Sequence, residues 1–378
     1  MPHFAFEDCL LKHYIRKEVW LPFCRERLRK IRATSSRNPR RMRYFTFCAV
    51  GALDVLLLDR ERVLRRSNND EFDTVFFFDK DREAIIETQK RIPGANGFPG
   101  DFARVVMQAD VGDDELALRV LTDERDTHEV REKQMQRAQL GDFIESFPFD
   151  VVNLDVEQYL YRPKEQLPGI LTNAIRKIFK WQKRDGLGSN KKPFTLDEFT
   201  LMFTTRVGPA DLPDEYISYL RDHCIEKNLV EFQELTIPFQ KKSGGRAPAD
   251  FFANDFDGAF TLAVPKSLSE LALEQDWYID DVKGILVFQF DRPFADGTYR
   301  MLHMVMSISR QQPPEEKRAP GQKVQAALSA HKNTIVKLFE ADVISVEALV
   351  QGAMEVALKT DLQELFKHRE RYYKPAAE

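Results

Sequence analysis

Three aspartates each close an apolar run: Asp79 after Val75-Phe76-Phe77-Phe78, Asp101 after Phe98-Pro99-Gly100, and Asp155 after Val151-Val152-Asn153-Leu154. A carboxylate at a strand end is a charged acceptor at a fixed point, which is what recognition of the two ribose hydroxyls of a nucleotide requires. Asp79 is the candidate for that contact. Asp101 is placed to accept from an adenine amino group while Phe102 packs beside the base. Asp155 would face the reacting end of the ligand. A single Asp after a strand is ordinarily a helix cap or a turn residue. Three at successive strand ends point to a ligand.

Other chemistry is weaker. Asp79-Lys80-Asp81 has the Asp-x-Asp form of an aspartyl-phosphate nucleophile and its acid/base. Glu83, however, stands where those enzymes carry Thr or Val, and a strand–helix unit precedes the motif. Asp81 as the N-cap of the next helix explains it more simply. The seven histidines are scattered without ligand spacing, so no metal is expected. The four cysteines, Cys9, Cys24, Cys48 and Cys224, have neither zinc spacing nor the density of a disulfide scaffold. Tyr159 and Tyr161 offer stacking surfaces, with core packing the commoner use of such rings.

The elements that must position these residues alternate. Tyr44–Val50 reads as a strand ending at Gly51, Leu53–Arg66 as a helix, Thr74–Asp79 as a strand, Glu83–Arg91 as a helix and Ala95–Phe98 as a strand. Strands at Phe149–Asp155 and Phe199–Thr205 follow, separated by an amphipathic helix over Leu167–Lys183. Gly284–Phe290 and Thr298–Ser309 alternate about Ala295-Asp296-Gly297 as a hairpin. This pattern predicts an α/β fold, a doubly wound, mostly parallel sheet closed by an antiparallel hairpin, with N- and C-terminal helical extensions. Its expected divisions are a helical lead-in with a basic segment over 1–43, a main domain over 44–310, a linker over 311–322 and a helical region over 323–378. Insertions are expected near 110–146 and 228–250, the second as an irregular connection.

The 378 residues suffice for a sizeable core, and 29 phenylalanines make it aromatic. No window approaches the roughly 20 apolar residues of a membrane-crossing helix. Residues 1–24 lack the apolar centre of a signal peptide, so a cytoplasmic location is expected. The net charge of −4 conceals basic clusters. Residues 25–43 include Arg37, Arg40 and Arg41 with a single acid, Glu26, and residues 176–192 interleave Lys180 and Lys183 with Phe179 and Trp181. Lys241–Arg246 is a third. Such clusters are either solvated faces or an electrostatic footprint for nucleic acid.

The order strand–Gly51–helix, strand–Asp79, strand–Gly100-Asp101-Phe102, strand–Asp155, strand, helix, hairpin resembles the class I S-adenosylmethionine-dependent methyltransferases over roughly residues 40–310. The resemblance implies a seven-stranded sheet whose last strand is inserted antiparallel. It also implies cofactor binding by Gly51, Asp79, Asp101 and Phe102, and methyl transfer near Asn153 and Asp155, with Asp155 or Glu157 as base or orienter. A weaker likeness is to methyltransferase-like partner proteins encoded in bacterial gene clusters, through the Lys12…Trp20 lead-in and the Phe149–Asp155 strand. One departure stands out. The family's first loop is Gly-rich, whereas Phe47-Cys48-Ala49-Val50-Gly51-Ala52-Leu53-Asp54 has one glycine and adds a carboxylate. Two functions follow: an S-adenosylmethionine-binding methyltransferase acting on nucleic acid, or an inactive scaffold. The scaffold would bind a protein partner, a second copy or nucleic acid through its basic segments and the helices of 324–373.

Overall fold

A computed structural model of the protein describes residues 10–34, 40–48, 51–108, 140–156, 160, 170–187, 193–208, 214–291, 298–310, 335–346 and 349–370. The chain enters through α1 (Leu10–Tyr14), a π-helical stretch (Ile15–Trp20) and α2 (Leu21–Thr34). The βα alternation then runs β1 (Tyr44–Thr46), α3 (Leu53–Arg60), β2 (Val75–Asp79), α4 (Arg82–Arg91), β3 (Asn96–Pro99), α5 (Phe102–Gln108) and β4 (Val151–Asp155). It continues with α6 (Ile170–Trp181), the two-residue strands β5 (Gly186–Leu187) and β6 (Pro193–Phe194), and β7 (Glu198–Val207). A helical block that begins with α7 (Asp214–Ser218) leads to the long strands β8 (Trp277–Asp291) and β9 (Thr298–Arg310).

Eight strands form one sheet in the order β3-β2-β1-β4-β7-β9-β8, with β10 (Val343–Ser345) at the far edge. All run parallel except β9, which pairs antiparallel with both β7 and β8. This is the α/β sheet expected from the alternation, with the last strand of the hairpin inserted between β7 and β8. At Gly284 the β8 backbone has φ +59°, and an added Cβ would stand 2.7 Å from Val19 Cγ1. Glycine permits both that conformation and the close approach of the N-terminal helix.

Strand alternation sends residues to two cores. Phe45, Phe76, Phe78, Val152 and Leu154 belong to one, where Phe143 lies 4.8 Å from Phe78 and 5.1 Å from Phe98 between ring centroids. Tyr44, Phe77 and Val151 belong to the other, covered by Ile15, Val19 and Trp20 of the lead-in, by α3, and by Leu362 and Leu365 of α12 (Ala353–Glu370).

Several expectations need correction. Residues 140–145 form a helix whose Phe143 is fully buried, so that part of the expected solvent-facing insertion is core; 109–139 lie outside the described residues. The connection near 228–250 is helical rather than irregular: a π-helical stretch ending at Glu226 is followed by α8 (Lys227–Glu231), α9 (Thr236–Ser243) and α10 (Pro248–Asn254). The helical block ends in α11 (Phe256–Leu273), which carries Pro265 in its interior. Its apolar residues occur on all sides because it is buried all round, which erases the one-sided period used to find helices. The C-terminal region is not wholly helical, because Val343–Ser345 pair in parallel with Ile285–Val287. The linker at 311–322 lies outside the described residues.

Candidate functional site

Strand order reverses between β1 and β4, since β2 and β3 lie to one side of β1 and β7 to the other side of β4. In open parallel sheets such a switch point leaves a crevice outside the carboxyl ends of the strands, because the flanking crossovers depart to opposite faces. Asp79, Asp101 and Asp155 all lie along that edge. Asp79 Oδ1 accepts the Asp81 N–H at 2.9 Å, and Asp81 caps α4 by accepting from the Glu83 N–H at 2.8 Å. The cap reading of Asp81 therefore accounts for the Asp-x-Asp motif. Asp101 accepts from the Arg104 N–H and pairs with Lys80 at 3.1 Å, its side chain 28% exposed. Burial works against its charge, but Lys80 and the Arg104 N–H outweigh it and hold the carboxyl below its usual range. Phe102 is buried against Phe45, Phe47 and Phe78, which limits what it can present to a base.

On the face of β1 and β4 under the lead-in helix lies a buried polar network. The Tyr44 and Thr46 hydroxyls both donate to Asp54 Oδ2, at 2.9 and 2.8 Å. With those hydrogens spent, the two oxygens accept from Asn153 Nδ2 at 3.1 and 3.3 Å, which orients the amide. Asn153 Oδ1 is buried and has no hydrogen-bond partner. Asp54, the extra carboxylate of the first loop, is thus turned back onto the sheet. Gly51 is buried in the turn before α3, and Ala52 has φ +47°, a left-handed conformation that favours glycine.

Asp155 is met by the lead-in helix. Lys12, Arg16 and Trp20 recur every four residues, all three buried. Lys12 Nζ lies 3.0 Å from Asp155 Oδ2, the two side chains 11% and 14% exposed. Burial opposes the Asp155 charge, but Lys12 first and then Arg16 pull its pKa down. Asp155 Oδ1 is buried with no hydrogen-bond partner. Trp20 Nε1 donates to His303 Nε2 at 3.0 Å, so Nδ1 carries the proton and donates to Thr204 Oγ1 at 2.9 Å. Burial lowers the His303 pKa to about 4.

That shift gives a pH prediction. The unfolded chain protonates His303 below its ordinary value of 6.5, whereas the folded protein resists until about pH 4. Stability from this group is therefore complete above pH 6.5 and declines as the pH falls toward 4. Between pH 7 and 4.5 the loss should be roughly 2–3 kcal/mol. Thermal melts of the protein and a His303→Gln variant should diverge over that window, the variant having the shallower decline. Parallel pH profiles would contradict a buried neutral imidazole.

Several side chains of the basic segments are engaged within the fold. Arg40 forms a bidentate pair with Asp150 and lies over the Phe194 ring, and Arg41 forms one with Asp73. Lys183 pairs with Asp276 at 2.6 Å. Trp181 is buried in the aromatic core, 5.4 Å from Phe147 between ring centroids, so stacking on a base is closed to it. Lys180 is exposed. In the third cluster, Lys242 donates to the Ala341 carbonyl, and burial lowers its pKa to about 8. Arg37, Glu157, Tyr159 and Tyr161 lie outside the described residues.

The residues absent from the sequence-based site are Lys12, Arg16, Tyr44, Thr46, Asp54, Thr204 and His303. Two signals pointed to some of them: cations at helical spacing on an apolar face, and a histidine inside the apolar strand Met301–Val305. α12 packs on its own domain, with Leu358, Leu362 and Leu365 buried and Asp361 paired to His13 and Arg60. No group of three or more metal-ligating side chains occurs among the described residues, and none of their helices is long and apolar enough to cross a membrane. The chain matches no protein-family model, and no curated protein is significantly similar to it.

Proposed function

We propose that the crevice at the carboxyl ends of β1–β4 binds a nucleoside cofactor, S-adenosylmethionine, and that the protein is a methyltransferase or derives from one. The observation that carries this reading is the reversal of strand order between β1 and β4, with aspartates at the ends of β2, β3 and β4 along the same edge. Asp79 would hold the ribose diol, and Asp101 would accept from the adenine amino group. The donor set suits the methionine end as well. Lys12 can answer its carboxylate, and the unpartnered Oδ1 atoms of Asn153 and Asp155 can accept from its ammonium. When bound, the cofactor supplies an activated methyl group, so the protein mainly has to hold an acceptor in line. Asp155, kept ionised by Lys12 and Arg16, is an orienter or proton acceptor there. The nucleic-acid acceptor expected from the basic segments loses support from Arg40, Arg41, Trp181 and Lys183, whose side chains are engaged elsewhere.

The scaffold reading is favoured by two observations of its own. The lead-in helix caps the end of β4 through the Lys12–Asp155 pair, and Ala52 occupies the left-handed turn position next to Gly51. Isothermal titration with S-adenosylmethionine and S-adenosylhomocysteine separates the two. Heat of binding with micromolar dissociation supports a cofactor site, and silence at millimolar ligand supports the scaffold.

A further inference from the structure

The inner arginines of the basic lead-in are paired with the sheet, whereas an outer set lines a groove, and four of its five members have no acidic partner among the described residues. Arg25, Arg29 and Arg32 line one side of a groove of about 460 Å³, and Arg62 and Arg65 line the other. Arg29, Arg32, Arg62 and Arg65 are exposed and have no acidic partner among the described residues. The one acid in the groove, Glu61, is already engaged by Arg25 at 2.6 Å and Arg60 at 3.3 Å. On α2 the arginines recur every three to four residues, so they follow one helix face at intervals of about 5–6 Å. In a chain of net charge −4, five guanidinium groups around one groove are a local concentration with no counterpart in the overall composition.

The backbone at Arg62 adds an independent indication. The Arg62 N–H donates to the Asp59 carbonyl and the Val63 N–H to the Leu58 carbonyl, the two bonds of a Schellman motif ending α3. Arg62 takes the left-handed position of that motif, with φ +58°. Glycine fits there without strain, whereas a residue with a side chain is strained. A cation near a helix C-terminus recovers part of that cost through the helix dipole. Backbone strain of this kind at a non-glycine residue concentrates at ligand clamps and other functional positions.

We infer that this groove binds the phosphate backbone of a nucleic acid, without reading its bases. Guanidinium groups match phosphate oxygens in bidentate geometry. No aromatic side chain lines the groove, so base stacking is not available. Leu28 and Val63 on its floor are buried, leaving no apolar side chain to insert into a bilayer. Arginines spread over two elements fit a series of phosphates better than a single phosphorylated side chain. The groove also lies away from the nucleoside crevice. α3 begins beside the carboxyl end of β1 and runs back toward the opposite edge of the sheet, so Arg62 and Arg65 sit near where β2 begins. The contact would anchor the nucleic acid and does not depend on the cofactor reading.

Fluorescence anisotropy with a labelled 30-base-pair DNA duplex, an RNA duplex of equal length and phosphatidylserine vesicles tests this on the full chain. The duplexes should bind, and four phosphate contacts should weaken binding roughly 100-fold between 50 and 200 mM salt. Combining Arg29→Gln, Arg32→Gln, Arg62→Asn and Arg65→Gln should remove that salt dependence and most of the affinity while leaving the melting temperature near that of the parent. Asn is chosen at Arg62 because it tolerates the left-handed backbone. Asp79→Ala should bind the duplexes as the parent does, so loss of the cofactor reading and loss of this one are separately visible. The inference is overturned if neither duplex binds at 50 mM salt, if the fourfold variant binds like the parent, or if only the vesicles bind.

Discussion

Asp150→Ala is expected to lower the unfolding free energy by about 3–5 kcal/mol, the cost of stripping one partner from a buried charge network. Asp150 is fully buried just before β4. It accepts from both terminal nitrogens of Arg40, from Arg27 at 3.2 Å and from the Arg43 N–H at 3.0 Å. Burial by itself would raise its pKa, but Arg40 and then Arg27 and Arg43 pull it below the usual carboxylate value. Removing the carboxylate leaves the Arg27 and Arg40 side chains, 7% and 17% exposed, without that neutralising charge. Urea unfolding should show the loss as a lower midpoint. Asp150→Asn keeps the volume and one acceptor, and should be destabilised less while remaining folded enough to measure. A pKa depressed in the folded state contributes stability above the unfolded carboxylate value of about 3.9 that is lost as the pH falls below it. The Asn variant should therefore have the shallower acid limb. A change of under about 1 kcal/mol for the alanine variant would show that this network does not hold the lead-in helix to the sheet.

The second large effect belongs to Asp79. In the proposed site its carboxylate receives both ribose hydroxyls, and hydrogen bonds to a charged acceptor contribute about 1.5–3 kcal/mol each. Asp79→Ala should thus weaken S-adenosylmethionine and S-adenosylhomocysteine alike by at least 100-fold in titration calorimetry. The fold should change little, because Asp79 is only half-buried at the end of β2 and the Asp81 N–H it accepts lies at the exposed start of α4. Equal weakening of both ligands matters, since they share the ribose and differ at the sulfur. An unchanged affinity would remove the ribose assignment even if binding itself is real.

Much of the frame was legible in advance. Val75–Asp79 and Val151–Asp155 form the strands their apolar runs predict, and β8 pairs antiparallel with β9 as the hairpin pattern predicts, whereas insertion of β9 beside β7 was expected only from the family resemblance. The carboxylates at the strand ends were legible too, because the position of a residue at the end of an apolar run is a local fact. The helical block after β7 was less so, since α11 is buried on all sides and shows no one-sided period. β10 escaped for a related reason: three residues carry too little pattern to identify a strand that only an existing sheet edge can recruit.

The employment of the charges is what only the tertiary structure decided. Read along the chain, Arg25 to Arg43 is a basic cluster facing one acid. In the folded protein Arg40 meets Asp150 across 110 residues, and Lys12 meets Asp155 across 143. A charge is neutral to secondary-structure period, and its Coulomb partner is set by proximity in space rather than along the chain. The sequence by itself therefore determined the alternating sheet and the acidic ends of its strands. Folding alone sorted the arginines into those that bind the lead-in to the sheet and those left facing outward around the groove.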